Sequence, residues 1–195
     1  MPSGIAKLAR DLLPHSPSLG LYVAPDIPER LLRNAVGDYA KAVDTSDVLA
    51  LYDATLTGNA KDGAVFTRDR FVFQNSNLSP AQEIRYDDVV GVKSKRKFLI
   101  GKKVHVDVNR GRATVTFVVD FSGKPEAADH VARFLYEAMM HSIESDVGAG
   151  PMEAAAEVGA GETDVAAVRD ALEALVRSGR LSASHRDAML RALGE

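Results

Sequence analysis

From Val48 to Phe121 the chain is a succession of short apolar runs cut by turn residues: VLALYDATL, AVFT, FVFQN, EIRY, DDVVGVKSKRK, VHVDV and ATVTFVVDF, separated by GNAKDG, RDR, a polar loop and NRG. The β-branched and aromatic content, with Val104, Val106 and Val108 in strict alternation, specifies strands. NRG between the last two runs specifies a hairpin turn. About six or seven strands joined by connections this short must be mostly antiparallel, which predicts a small barrel or a pair of packed sheets.

Helical patterns flank this region. Asp26 followed by Pro28 and Glu29 carries the start signals of a helix. Ile27, Leu31, Ala35, Tyr39 and Val43 share one face, so a helix over 27–43 is predicted. After the strands, SGKPE precedes Ala127, Val131, Phe134, Leu135, Ala138 and Met139, the buried face of a helix running to about Ser145 and able to close one end of a barrel. Residues 1–25 read as a weakly structured lead-in, in which Ile5, Leu8, Leu12 and Leu13 permit a short amphipathic helix that docks on the main domain.

Residues 146–163, DVGAGPMEAAAEVGAGET, have the composition of a flexible linker. The tail, 164–195, has two short helical stripes: Val165, Val168, Leu172, Leu175 and Val176, then Met189, Leu190 and Leu193. Gly179 ends the first and Ser182 caps the second. A hairpin of this size buries too little surface to stand alone, so a partner such as a second copy is expected. The organisation expected is therefore lead-in 1–25, main domain 26–145, linker 146–163 and tail 164–195.

The order helix, strands, helix, with LYDATLTGNAKDGAVFT at 51–67, GAVFTRDRFVF and EIRYDDVVGV at 83–92, resembles the bacterial pleckstrin-homology-like domains over about residues 26–145. The tail resembles a SHOCT module through Leu172, Leu175, Gly179, Leu181, Ser182 and the final leucines, although Ala183, Ser184, His185 and Arg186 replace the acids and aromatic often found after the cap. The resemblance implies an α+β fold, a strongly bent antiparallel barrel of about seven strands with a preceding helix and a capping C-terminal helix. It also implies a binding or assembly platform, with oligomerisation through Val168, Leu172, Leu175, Leu181, Met189, Leu190 and Leu193, and no catalysis, cofactor or metal.

The densest chemical feature is KSKRKFLIGKK at 93–103. Lys93, Lys95, Arg96, Lys97, Lys102, Lys103, Arg110 and Arg112 face a single acid, Asp107, within 93–112, while the rest of the chain carries a net charge of about −10. As a strand, this stretch puts Lys93, Lys95 and Lys97 on one face and Val92, Ser94, Arg96 and Phe98 on the other. Ranked first is a lysine-rich edge that discourages strand pairing, with Phe98 or Ile100 turned inward. A protein partner comes next. An anionic membrane follows, met by the lysines and an apolar tip of Phe98, Leu99 and Ile100. Nucleic acid ranks last, because the overall charge of −3 and the lack of interleaved aromatics fit it poorly.

Other chemistry has little support. The chain has no cysteine, which removes disulfides and thiolate metal sites. Tyr52 and the carboxylates Asp53, Asp62, Asp87 and Asp88 are expected to be structural. His130, Glu137 and His141 are spread over too much helix to hold one metal together. G-x-S-x-G, Walker A and dinucleotide motifs are missing. Lys7, Arg10 and Asp11 interrupt any signal-like core, Pro2 excludes N-myristoylation, and no apolar run approaches a bilayer's thickness. A soluble, cytoplasmic protein with peripheral membrane contact at most is expected.

Overall fold

A computed structural model describes residues 4–97, 101–148, 173, 176 and 177. In chain order they form α1 (Gly4–Leu12), β1 (Leu21–Val23), α2 (Glu29–Asp38), β2 (Ala50–Asp53), β3 (Gly63–Phe66), β4 (Arg70–Gln74), β5 (Gln82–Arg85), β6 (Val89–Lys97), β7 (Gly101–Asn109), β8 (Thr114–Asp120) and α3 (Ala127–Gly148). The fold of the described residues is α+β, with two antiparallel sheets of order β1-β2-β3-β4-β5 and β6-β7-β8. The six or seven strands expected between residues 48 and 121 are present as seven, β2 to β8.

The first sheet is covered on both faces, which is why β2, β3 and β4 are continuous apolar runs rather than alternating ones. On one side Leu51, Val65 and Val72 meet Leu31, Ala35 and Tyr39 of α2. On the other, Tyr52, Phe66, Phe71 and Phe73 join Val104, Val106 and Val108 of the second sheet in one core. α3 fills the space between the sheets: Phe134 meets Phe66 edge-on at 5.5 Å and Tyr86 at 6.0 Å. Ala127, Val131, Phe134, Leu135, Ala138 and Met139 are all buried, as their spacing predicts.

Four expectations need correction. The 1–25 segment does form the expected short docking helix, α1 against α3 with Ile5, Ala9 and Leu13 in the core, but it is not otherwise weakly structured, because β1 is an eighth strand, pairing Leu21 with Tyr52. The helix predicted over 27–43 covers only Glu29–Asp38, and Pro28 rather than Asp26 stands at its N-cap. Its last turn closes because the Tyr39 and Ala40 amides both donate to Ala35 O, next to the poor helix formers Gly37 and Asp38. Tyr39 and Val43 nevertheless stay buried on the expected face. The strands do not close into a barrel: among the described residues β5 and β6 belong to separate sheets, a 3-10 turn at Tyr86–Asp88 lies between them, and the β6–β7 pairing shifts register between Val89 and Gly91. Lastly, α3 begins at Ala127, after a turn in which Ser122 N donates to Asp120 Oδ1, and it continues past Ser145 to Gly148.

Candidate binding surface

Antiparallel order brings the β2–β3 loop, the β4–β5 loop and the β8–α3 connection to one end of the molecule. The β2–β3 loop is organised around Asp53, the last residue of β2, which is almost wholly buried. Its Oδ1 accepts hydrogen bonds from Thr55 N (2.8 Å), Thr55 Oγ1 (2.5 Å) and Ala60 N (3.2 Å). Thr55 Oγ1 in turn accepts from Asn59 N. Arg30 and Asn34 of α2 donate to Gly58 O and Asn59 O, and Lys124 donates to Asp53 O at 2.6 Å. The loop is thus fixed from three sides while Leu56 stands 96% exposed.

The β4–β5 loop is held as firmly. The Asn75 side chain donates to Val118 O (2.7 Å) and accepts from Asp120 N (2.9 Å), a two-point clamp between the sheets. Ser79 N donates to Ser76 O. Gln74 donates to Asp62 Oδ1, and the Asn77 amide lies against the same carboxylate, joining this loop to the β2–β3 loop. Leu78, at its tip, is 98% exposed. Two neighbouring, braced loops therefore each hold one leucine out in water.

The basic stretch does not form one patch. Lys93 and Lys95 lie on the outer face of the second sheet with Lys103, whereas Ser94, Arg96 and Lys102 lie on the side of α3. Lys97 pairs through its backbone with Gly101. Phe98, Leu99 and Ile100 lie outside the described residues. Arg110 and Arg112 sit at the opposite end of β7, about 30 Å away at 3.4 Å per residue. The fold brings acids to the basic side chains: Lys93 meets Asp107 (4.0 Å), the one acid within the run, while Lys103 meets Asp120 (3.3 Å), Arg110 meets Asp88 (3.7 Å), and Lys102, largely covered, meets Asp129, three acids outside it. The Lys102 hydrogen bond, helped by Ser94 and the nearby Arg96, holds the Asp129 carboxyl below its ordinary range. Among the described residues, Lys95, Arg96 and Arg112 have no ion pair to a carboxylate within 4 Å.

Asp87 is likewise held low, first by its hydrogen bond to Arg85. Tyr39, Tyr52 and Tyr86 are pushed far up by burial. Tyr52 packs against Phe121 in a tilted arrangement at 4.5 Å, and Tyr86 donates to Thr67 O. Asp53 and Asp62 also serve the loops, as expected of carboxylates at strand ends. His130 is exposed. The described residues include no group of three His, Cys, Asp or Glu side chains able to hold a metal ion, and no helix among them is long and apolar enough to cross a membrane. The expected oligomerisation residues, Val168, Leu172, Leu175, Leu181, Met189, Leu190 and Leu193, lie outside the described residues.

Sequence reasoning missed Leu56 and Leu78, because a single leucine in a polar loop carries no periodicity. The available signal was the short loop frames themselves, D-A-T-L-T-G-N and N-S-N-L-S-P, in which one large apolar residue interrupts turn formers. Comparison with protein-family models, curated proteins and solved structures finds no match to this chain.

Proposed function

We propose that the chain is a non-catalytic binding and scaffold module: a pleckstrin-homology-like platform for a protein partner, carried by a chain that self-assembles through a SHOCT-like tail. What supports the fold reading is the succession β2 to β8 in two antiparallel sheets with α3 between them. The observation that carries the functional reading is the pair of outward leucines, Leu56 and Leu78, on loops too well braced to fold them back.

Burying one leucine contributes about 1.5–3 kcal/mol. Two would contribute about 3–6 kcal/mol, which corresponds to a Kd between about 6 mM and about 40 μM before the costs of association weaken it further. A single platform is therefore a weak binder, and self-assembly makes it useful by raising avidity. A protein partner is preferred to an anionic membrane because half of the basic side chains in 93–112 already meet carboxylates, which halves the charge offered to lipid.

Light scattering of the full chain against one ending at Ser145 tests the assembly: equal association states would remove the tail's role. Capture of partners by the full chain and by a Leu56→Ser/Leu78→Ser variant tests the platform, which fails if both retain the same proteins. Flotation with phosphatidylserine vesicles over a salt series tests the lipid alternative. Binding that disappears on charge reversal at Lys95 would move the reading to the membrane.

A further inference from the structure

α3 carries a second apolar series besides the one it buries. Tyr136, Met140 and Ile143 follow one another at i, i+4 and i+7 and are 46%, 37% and 42% exposed, with the half-buried Ala132 one turn earlier on the same line. α1, β6 and β7 take up other sides of the helix. Spacing of this kind is a helix-packing seam, whereas scattered exposed apolar residues follow no line.

The chain itself supplies a helix of matching pattern. α3 ends at Gly148, and residues 149–195 follow, with the stripe Val165, Val168, Leu172, Leu175 and Val176. Glu173, Val176 and Arg177 are helical, and Val176 is partly covered while Glu173 and Arg177 are exposed. The part of the linker beyond α3, 149–163, has a flexible composition and an r.m.s. span of about 21 Å. Tyr136 lies only about 18 Å back along the axis from Gly148. Through such a linker the chain's own tail is present at millimolar effective concentration, well above that of a second copy at micromolar protein.

We infer that the Tyr136–Met140–Ile143 face of α3 is the docking surface of the C-terminal segment of the same chain, occupied by its first helical stripe. Docking uses Val168, Leu172 and Leu175, which the proposed self-assembly also uses. The docked chain is then a closed, non-assembling state in competition with the oligomer. This rests on the assembly reading only for its consequence, not for the contact.

Because the native chain has no cysteine, paired cysteines report the contact cleanly. Met140→Cys is combined in the full chain with Val168→Cys, Leu172→Cys or Leu175→Cys in turn, and oxidation is followed on non-reducing gels at low micromolar protein. A control series replaces Met140→Cys by Lys41→Cys, an exposed position after α2, beyond the first sheet. At least one Met140 pair should close intramolecularly ten times faster than its control. Rates equal to the control overturn the docking, and disulfides that form only between chains assign the face to a second copy instead. Tyr136→Glu/Met140→Glu in the otherwise native chain then separates the two readings. Faster proteolysis of the tail with increased light scattering is expected. Faster proteolysis without added scattering keeps the docking and removes the assembly, and unchanged proteolysis removes the docking.

Discussion

Replacing Asp53 by alanine is the most direct test of how the leucine-bearing loop is held. The substitution removes the acceptor of three hydrogen bonds at once. Thr55 is half-buried, so water can replace its partner at a cost of about 0.5–1 kcal/mol for the pair of bonds. Ala60 is fully buried, and its amide left without an acceptor costs about 1–3 kcal/mol. Against this stands a gain. Asp53 Oδ2 has no protein partner and no described cation lies within 4 Å of the carboxylate, so the variant escapes an unfavourable burial. The net loss expected is about 2 kcal/mol. Asp53→Asn keeps an oxygen at the Oδ1 position and should stay within about 1 kcal/mol of the native chain. Urea midpoints at constant m-value measure both, and amide exchange at Ala60 should accelerate by tenfold or more only in the alanine variant. If Asp53→Ala lies within 0.5 kcal/mol of the native protein, or if asparagine is as damaging as alanine, the acceptor is not what organises the loop.

Two further outcomes follow from the same structure. Gly63 has φ +140°, and a Cβ there would lie 1.9 Å from Tyr52 O, so Gly63→Ala should lose about 3 kcal/mol or more; Gly111 has φ +77° with nothing within 4 Å, so Gly111→Ala should lose only about 1–2 kcal/mol. Thermal melts that place the two alanine variants in the reverse order would contradict this geometry. Asp129 is depressed in the folded chain, so its pairing with Lys102 stabilises above the unfolded carboxyl range near pH 4 and is lost as pH falls through the folded value. Urea midpoints between pH 5 and 3 should therefore fall less steeply for Asp129→Asn than for the native chain, and parallel curves would show that the ion pair does not contribute.

Strands β2 to β8 were legible because each is a β-branched or aromatic run closed by strong turn formers, and α3 because Phe134, Leu135, Ala138 and Met139 repeat at helical spacing. β1 was not legible: Leu21–Val23 is three residues long, and its place beside β2 depends on a turn through Gly20 and on the Asp53 N to Gly20 O hydrogen bond. The outer seam of α3 was hidden for a different reason. Tyr136, Met140 and Ile143 interleave with the buried series, so the helix reads as broadly apolar, and only the packing of α1, β6 and β7 separates its covered sides from its open one.

The lysine-rich stretch is the instructive case, because its composition is right and its implied geometry is wrong. A hairpin divides a linear run between two faces and two ends, so eight basic residues within 93–112 come to lie up to about 30 Å apart. Register then chooses their partners: Lys103 stands opposite Asp120 because β7 and β8 are joined by a tight turn at Arg110–Ala113, and Lys102 reaches Asp129 because α3 lies against β6. Neither acid lies inside the run that looked basic. Those pairs halve the charge that the linear run suggests, and the loop end adds apolar surface at Leu56 and Leu78. The platform proposed above, if it binds through these leucines, is expected to depend weakly on salt and strongly on how many copies act together, because burial is not screened as charge is.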